Sequence, residues 1–359
     1  MKIKFSRVFD RLRALYERRA QDQVFAAFDI PSPTLMEFRK RNAEGLCGYP
    51  DPAERIRFWD CLLAERVALN DDSIPSAYLS EFDQGLYGGI LGGEVRFVCN
   101  PDTGWISSMV FPLLKDWSEF SRLRLDLNHE WFQEYRRQLD VFVEGARGKF
   151  GISHFILING LNFIFELVGA TETYLSLIEQ PEMVRKAMEL GFKVNVEIQK
   201  HFFAKAPLVA GGTCGYAVQW VPGRIIAESV DPFHMTSVAY FEEWGRSISE
   251  RIMAEFDGGV THIHGNGRHL MEAVCSMKGL KAVMLGDDKG FPPAIEVLDE
   301  LKARAGDMPL TVNAQFSDFA ERIGRHGLAG GVLYQVHGAP GADEVNCCME
   351  KVRAYRTKI

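Results

Sequence analysis

Residues 257–270 read DGGVTHIHGNGRHL: a short apolar run carries two histidines two apart, His262 and His264, into a glycine-rich break. If the run is a strand, side chains two apart share a face, and both imidazoles point the same way. What they do there depends on the sheet that holds the strand. The same pattern, an apolar run ending at a glycine or a polar residue, recurs through the second half of the chain. It is seen in HFILIN (154–159), APLVAGG (206–212), AVMLGDD (282–288), PLTVNAQ (309–315) and GVLYQVHG (331–338). Helical stretches such as HLMEAVCSM (269–277) and PAIEVLDELKARA (293–305) separate the runs. Short apolar strands alternating with helices predict βα units and a parallel sheet. Six such strands follow residue 150, and one or two more from residues 85–110 bring the count close to that of a closed (β/α)8 TIM barrel. No Gly-x-Gly-x-x-Gly follows a predicted strand, which counts against an open sheet that binds a dinucleotide.

The first part of the chain reads as helices broken by proline. SRVFDRLRALYERRAQ (6–21) sets Val8, Phe9, Leu12 and Leu15 at helical spacing, and PAERIRFWDCLLAERVALN (52–70) repeats the pattern behind Pro52. YGGILGGEVRFVCNPDTGWISSMVF (87–111) is glycine-punctuated and strand-like, and HEWFQEYRRQLDVFVEGARGK (129–149) is an amphipathic helix. The expected organisation is a helical N-terminal extension, residues 1–75, packed on a barrel of residues 76–359.

Composition narrows the function. With 359 residues, 47% of them hydrophobic and 25% charged, the chain can bury a large core. A net charge of −7 and dispersed basic residues point away from nucleic acid. No apolar run reaches the ~20 residues of a membrane helix. The charged N-terminal stretch lacks the apolar core of a signal peptide, so a cytoplasmic location is expected. Seven cysteines, Cys47, Cys61, Cys99, Cys214, Cys275, Cys347 and Cys348, include no Cys-x-x-Cys pair, so reduced thiols are expected rather than a zinc ribbon or a redox pair.

In a parallel barrel, chemistry sits at the C-terminal ends of the strands. His262 and His264 close GVTHIHG, and His337 closes GVLYQVHG. Three neutral imidazoles around Zn2+ with one open position form a catalytic site type, while a histidine at a strand end also serves simply to bind loop backbone. Asn159, Cys214 and Asp287 are the outer candidates for catalysis, each just beyond an expected strand; Thr213 and Asp288 stand beside two of them. Asn and Asp there equally cap a following helix, and a buried thiol equally packs as a small hydrophobe. Asp231 and His234, in ESVDPFHMTS, read as a turn and helix cap, and Tyr216 and Trp220 either wall a pocket or fill space.

Three segments together resemble the uroporphyrinogen decarboxylase superfamily, which includes zinc-dependent methylcobamide:thiol methyltransferases. INGLNFIFELVGATETYLSLIEQPEMV (158–184) is similar to the family's strand exit, helix and Pro-Glu helix start. ESVDPFHMTSVAYFEEW (228–244) is similar to its Asp-containing loop and following helix, and THIHGN (261–266) to its His-x-Cys-Gly-Asn segment. The resemblance runs from about residue 50 to the C-terminus and implies a (β/α)8 barrel independently of the strand count. It implies methyl transfer linked to a corrinoid carried by a partner protein, with a small-molecule substrate and Zn2+ at His262, His264 and His337. His264 falls on a family cysteine and His337 near a second, so imidazoles replace both thiolates and leave a stronger Lewis acid. The decarboxylase branch clamps substrate carboxylates with an Arg-rich N-terminal segment. FRKRNAEGLCGYP (38–50) offers Arg39 and Arg41 without that motif. Metal-assisted hydrolysis, uroporphyrinogen-type decarboxylation and non-catalytic binding of a corrinoid or small ligand are the alternatives.

Overall fold

The computed structural model describes residues 5–153 and 156–357. Thirteen strands carry it: β1 Val24–Phe28, β2 Leu46–Cys47, β3 Ser76–Tyr78, β4 Val95–Asn100, β5 Trp105–Val110, β6 Gly151–Ser153, β7 Gly212–Gly215, β8 Gln219–Pro222, β9 Ile226–Ser229, β10 Gly259–Ile263, β11 Leu280–Leu285, β12 Leu310–Gln315 and β13 Val332–His337. Six form one parallel sheet in the order β1-β13-β12-β11-β10-β9. β3 and β6 form a second parallel pair. Two seams join them. Ile156, just past β6, bridges in parallel to Ala227 of β9, and the Leu157 N–H donates to the Ala227 carbonyl at 2.8 Å. On the other side, Asp71 and Asp72, before β3, accept from the Phe28 and Ala26 N–H groups of β1 at 2.9 and 3.0 Å. The ring β1-β3-β6-β9-β10-β11-β12-β13 is a (β/α)8 barrel, with α1, Phe5–Tyr16, preceding it.

Three strand assignments differ from the sequence reading. APLVAGG is not a barrel strand: Val209 bridges Gly212, which opens β7 of the plug hairpin, and β9 fills the place instead. The apolar run made the wrong segment prominent, because β9 has only four residues and one of them is the buried Glu228. Residues 95–110 form an antiparallel hairpin, β4–β5, in a separate sheet with β2. The first barrel strand is β1, all five residues buried, inside the stretch expected to be a helical extension. Five residues between two amphipathic helices are too few to show a period. Two residues of HFILIN, 154 and 155, lie outside the described residues.

The lower half of the barrel is filled by the β7–β8 hairpin. Its Ala217, Val218, Trp220 and Val221 share a buried cluster with Phe25, Ala227, Val260, Ala282 and Leu333 from five barrel strands. α1 closes this end, burying Val8, Leu12, Leu15 and Tyr16. The Tyr16 hydroxyl donates to the Val218 carbonyl at 2.6 Å, and Arg11 donates to the Val24 carbonyl at 2.8 Å. Trp220 is the anchor. Its Nε1–H donates to the Val209 carbonyl at 2.6 Å, and its ring lies so close over Gly212 that a Cβ there would meet it at 2.4 Å. Only glycine fits beneath it. Trp220→Ala removes a fully buried indole and is expected to destabilise the fold by about 3–5 kcal/mol in urea denaturation.

Candidate metal centre at the barrel mouth

Ser229 of β9 pairs in register with His262 of β10, so Asp231, two residues on, stands level with His264. Alternation turns His262 and His264 to one face, and the turn that follows β9 brings Asp231 to them. The Asp231 Oδ1 lies 2.9 Å from Nε2 of His262, 4.0 Å from Nε2 of His264 and 3.7 Å from Nδ1 of His234. Among the described residues, Asp231, His262 and His264 alone bring three metal-donor atoms within 4.8 Å of one another. The His264 ring meets His262 at 5.1 Å and His234 at 5.5 Å, both edge to face. His234 seats against Gly267, where a Cβ would meet its Cδ2 at 2.1 Å. Asp288, after β11, holds the outer side of the cluster. Its carboxylate faces His264 Nδ1 at 2.9 Å and accepts the Gly265 N–H at 2.6 Å.

The charges follow from this packing. Burial raises the Asp231 carboxyl, but His262, by contact and charge, and then His234 and His264 bring it down to about 2. Burial lowers the His262 imidazole, and Asp231, then Asp83 and Asp288, more than reverse that. Burial takes His234 down to about 4, against the pull of Asp231 and with the help of His262 and His264. The result is a fixed carboxylate among imidazoles. Below it, Tyr216, in the β7–β8 turn, packs against Tyr78 and Trp105 at 5.0 and 5.1 Å. Asp83 lies beside them, raised to about 6 by burial even though Tyr78 and the Ile156 N–H oppose the shift.

The other expected site residues are placed apart from this cluster. His337 has both nitrogens engaged elsewhere: Nδ1 faces Asp29 at 2.7 Å and Nε2 faces Asn313 at 3.2 Å. Cys214 belongs to the plug at the opposite end of the strands, fully buried against Gly151, its thiol pushed up to about 12 by burial. Asn159 is buried behind the wall, its Nδ2 3.5 Å from Glu228 Oε2. Asp287 caps its own loop, accepting the Ala294 N–H at 2.7 Å, while its neighbour Asp288 reaches the histidines. Trp220 fills space and Tyr216 lines the site. Asp231 and His234 were legible only as turn residues, because without β9 neither stood at a strand exit. A cavity of about 610 Å³ lies between helices Pro33–Arg41 and Pro52–Ala64, away from these groups.

No family model matches the chain, and no curated protein matches it. Among solved structures, it is similar to a methyltransferase from Methanosarcina mazei, at 14% identity and a TM-score of 0.61, over 97% of this chain and 98% of that one. At that identity the likeness establishes the barrel fold.

Glu228 gives a stability test. Burial, partly offset by Asn159, Ser249 and the Ser229 N–H, raises its carboxyl from 4.5 to about 8. Between those values the folded chain binds the extra proton, so stability falls as pH rises; below them the contribution is fully present. The urea midpoint is expected to fall from pH 5 to 8, and Glu228→Gln to flatten that slope.

Proposed function

We propose that the chain is an enzyme of the uroporphyrinogen decarboxylase superfamily that transfers a methyl group to or from a small molecule, with a cytosolic corrinoid protein as partner and Zn2+ held by Asp231, His262 and His264. The observation that carries this reading is the donor cluster at the mouth of a barrel similar in fold to a methyltransferase from Methanosarcina mazei. The residues fit an ion. Asp231 Oδ1 is shut off from solvent, yet it makes no hydrogen bond of acceptable direction. Donors at ~2.0–2.1 Å from a tetrahedral zinc stand ~3.3 Å apart, and the imidazole nitrogens at 2.9 and 4.0 Å from this oxygen straddle that value. When bound, the ion supplies Lewis acidity and an open position for a thiol or water.

The chain's own residues do the rest. Asp288 takes the Nδ1–H of His264 and leaves Nε2 facing Asp231, the carboxylate–histidine arrangement that orients metal ligands. Tyr78, Trp105 and Tyr216 give the floor an apolar wall that limits water around the reacting groups. Asp231 returns one of the two negative charges that the family's thiolates supply, which moderates the Lewis acidity left by imidazole at 264. The donor set of two imidazoles and a carboxylate also suits a metal hydrolase, which makes ester or amide hydrolysis the second reading.

Untagged protein purified with added Zn2+ is expected to hold about one zinc per chain by mass spectrometry of the metal, and His264→Ala less than a tenth of that. Asp288→Asn weakens zinc affinity about 10–100-fold. Methylcobalamin with 2-mercaptoethanol as methyl acceptor then gives cob(I)alamin, followed by its absorbance. Hydrolysis of p-nitrophenyl acetate without methyl transfer would select the second reading. A metal-free wild type indifferent to His264→Ala defeats both.

A further inference from the structure

His234 stands at the donor cluster without belonging to the three donors assigned above. It lies in the turn Asp231–Met235 that follows β9, with its side chain 3% exposed and its Nδ1 3.7 Å from Asp231 Oδ1. Its ring meets that of His264 edge to face at 5.5 Å and seats against Gly267. Among the described residues no hydrogen bond reaches either nitrogen. Nε2 is shut off from solvent without a partner, and 3.7 Å is too long for a bond at Nδ1. We propose that His234 is a fourth donor to the ion, through Nδ1, beside Asp231, His262 and His264. This rests on reading the cluster as a metal centre.

The first support is distance. Two donors on one tetrahedral zinc stand ~3.3 Å apart, and the imidazole nitrogens already assigned lie 2.9 and 4.0 Å from the shared oxygen. Nδ1 of His234, at 3.7 Å, falls between them. The second is the idle ring. Buried polar groups are as a rule hydrogen-bonded. His269 follows that rule, facing the Asn266 and Thr236 carbonyls at 3.2 and 2.8 Å, and His337 follows it with Asp29 and Asn313. His234 is oriented by packing alone. The third is electrostatic. With the hydrogen on Nε2, the Nδ1 lone pair faces a carboxylate oxygen, and a cation between them turns that repulsion into two bonds. His234 stands outside the trio that lies within 4.8 Å, so ligation draws its ring inward, and no hydrogen bond has to break for that. With four protein donors, an incoming thiol or water is a fifth ligand, a number zinc accepts in catalysis.

Co2+, which occupies zinc sites and strongly shifts the proton resonances of its ligands, is the probe. Each ligating imidazole then shows its remaining ring N–H as a shifted resonance that disappears in D2O. The Co2+-loaded wild type is expected to show one more such resonance than His234→Phe, which keeps an aromatic ring against Gly267. Zinc affinity, by competition with a chromogenic chelator, is expected to fall more than about 100-fold in His234→Phe, beyond the ~10–100-fold of a group that only orients a ligand. An equal number of shifted resonances, or an unchanged zinc affinity, overturns the proposal. His234→Leu serves if phenylalanine does not fit. If neither variant folds, ring spectra of the wild type with 15N-labelled histidine decide: zinc is expected to bring three rings into the metal-bound shift range, and two would overturn the fourth donor alone. A wild type that takes up neither Co2+ nor Zn2+ overturns this proposal together with the metal centre. A metal-loaded wild type that transfers no methyl group counts against methyl transfer alone.

Discussion

Asp231 Oδ1 is a carboxylate oxygen held away from solvent with imidazoles at 2.9, 3.7 and 4.0 Å and no directed hydrogen bond. The Asp231 side chain is otherwise 41% exposed, so water reaches the rest of the carboxylate while this oxygen is left to the imidazoles. Much of the mouth is arranged to meet that constraint. The register of β9 on β10 brings Asp231 level with His264, Gly267 leaves room for the His234 ring, and Asp288 fixes His264 from outside. Protonated imidazole supplies part of the compensation, and a divalent ion supplies it more completely.

The plug makes this precision possible. A barrel of eight short strands has a hollow to fill, and here the β7–β8 hairpin fills its lower half with Trp220 as the anchor and α1 as the cover. The tip of the same hairpin carries Tyr216 up to the site floor, and Gln335 ties it down by donating to the Tyr216 carbonyl at 3.0 Å. Packing at one end thereby sets the shape of the site at the other. Cys214 illustrates the division: it sits on the strand that rises into the plug, so its thiol is a packing group and not a nucleophile at the mouth.

Much of the barrel was legible in the sequence because β10 to β13 are apolar runs separated by helices, and period two alone turned His262 and His264 to one face. The failures share a physical cause. β1 and β9 have five and four residues, too few to show a period, and β9 carries a buried glutamate that disguises it. With β9 unseen, Asp231 looked like a cap, and the third donor was sought at His337. Asp287 and Asp288 were equal candidates by position; only the fold shows that the first caps a loop and the second holds a histidine.

The most direct measurement is the anomalous difference density of zinc-loaded crystals, collected on both sides of the zinc absorption edge. A single peak bounded by Asp231, His262 and His264, with His337 still on Asp29, is the expected result. A peak bounded by His337, or no peak among the three donors, would contradict the proposed centre.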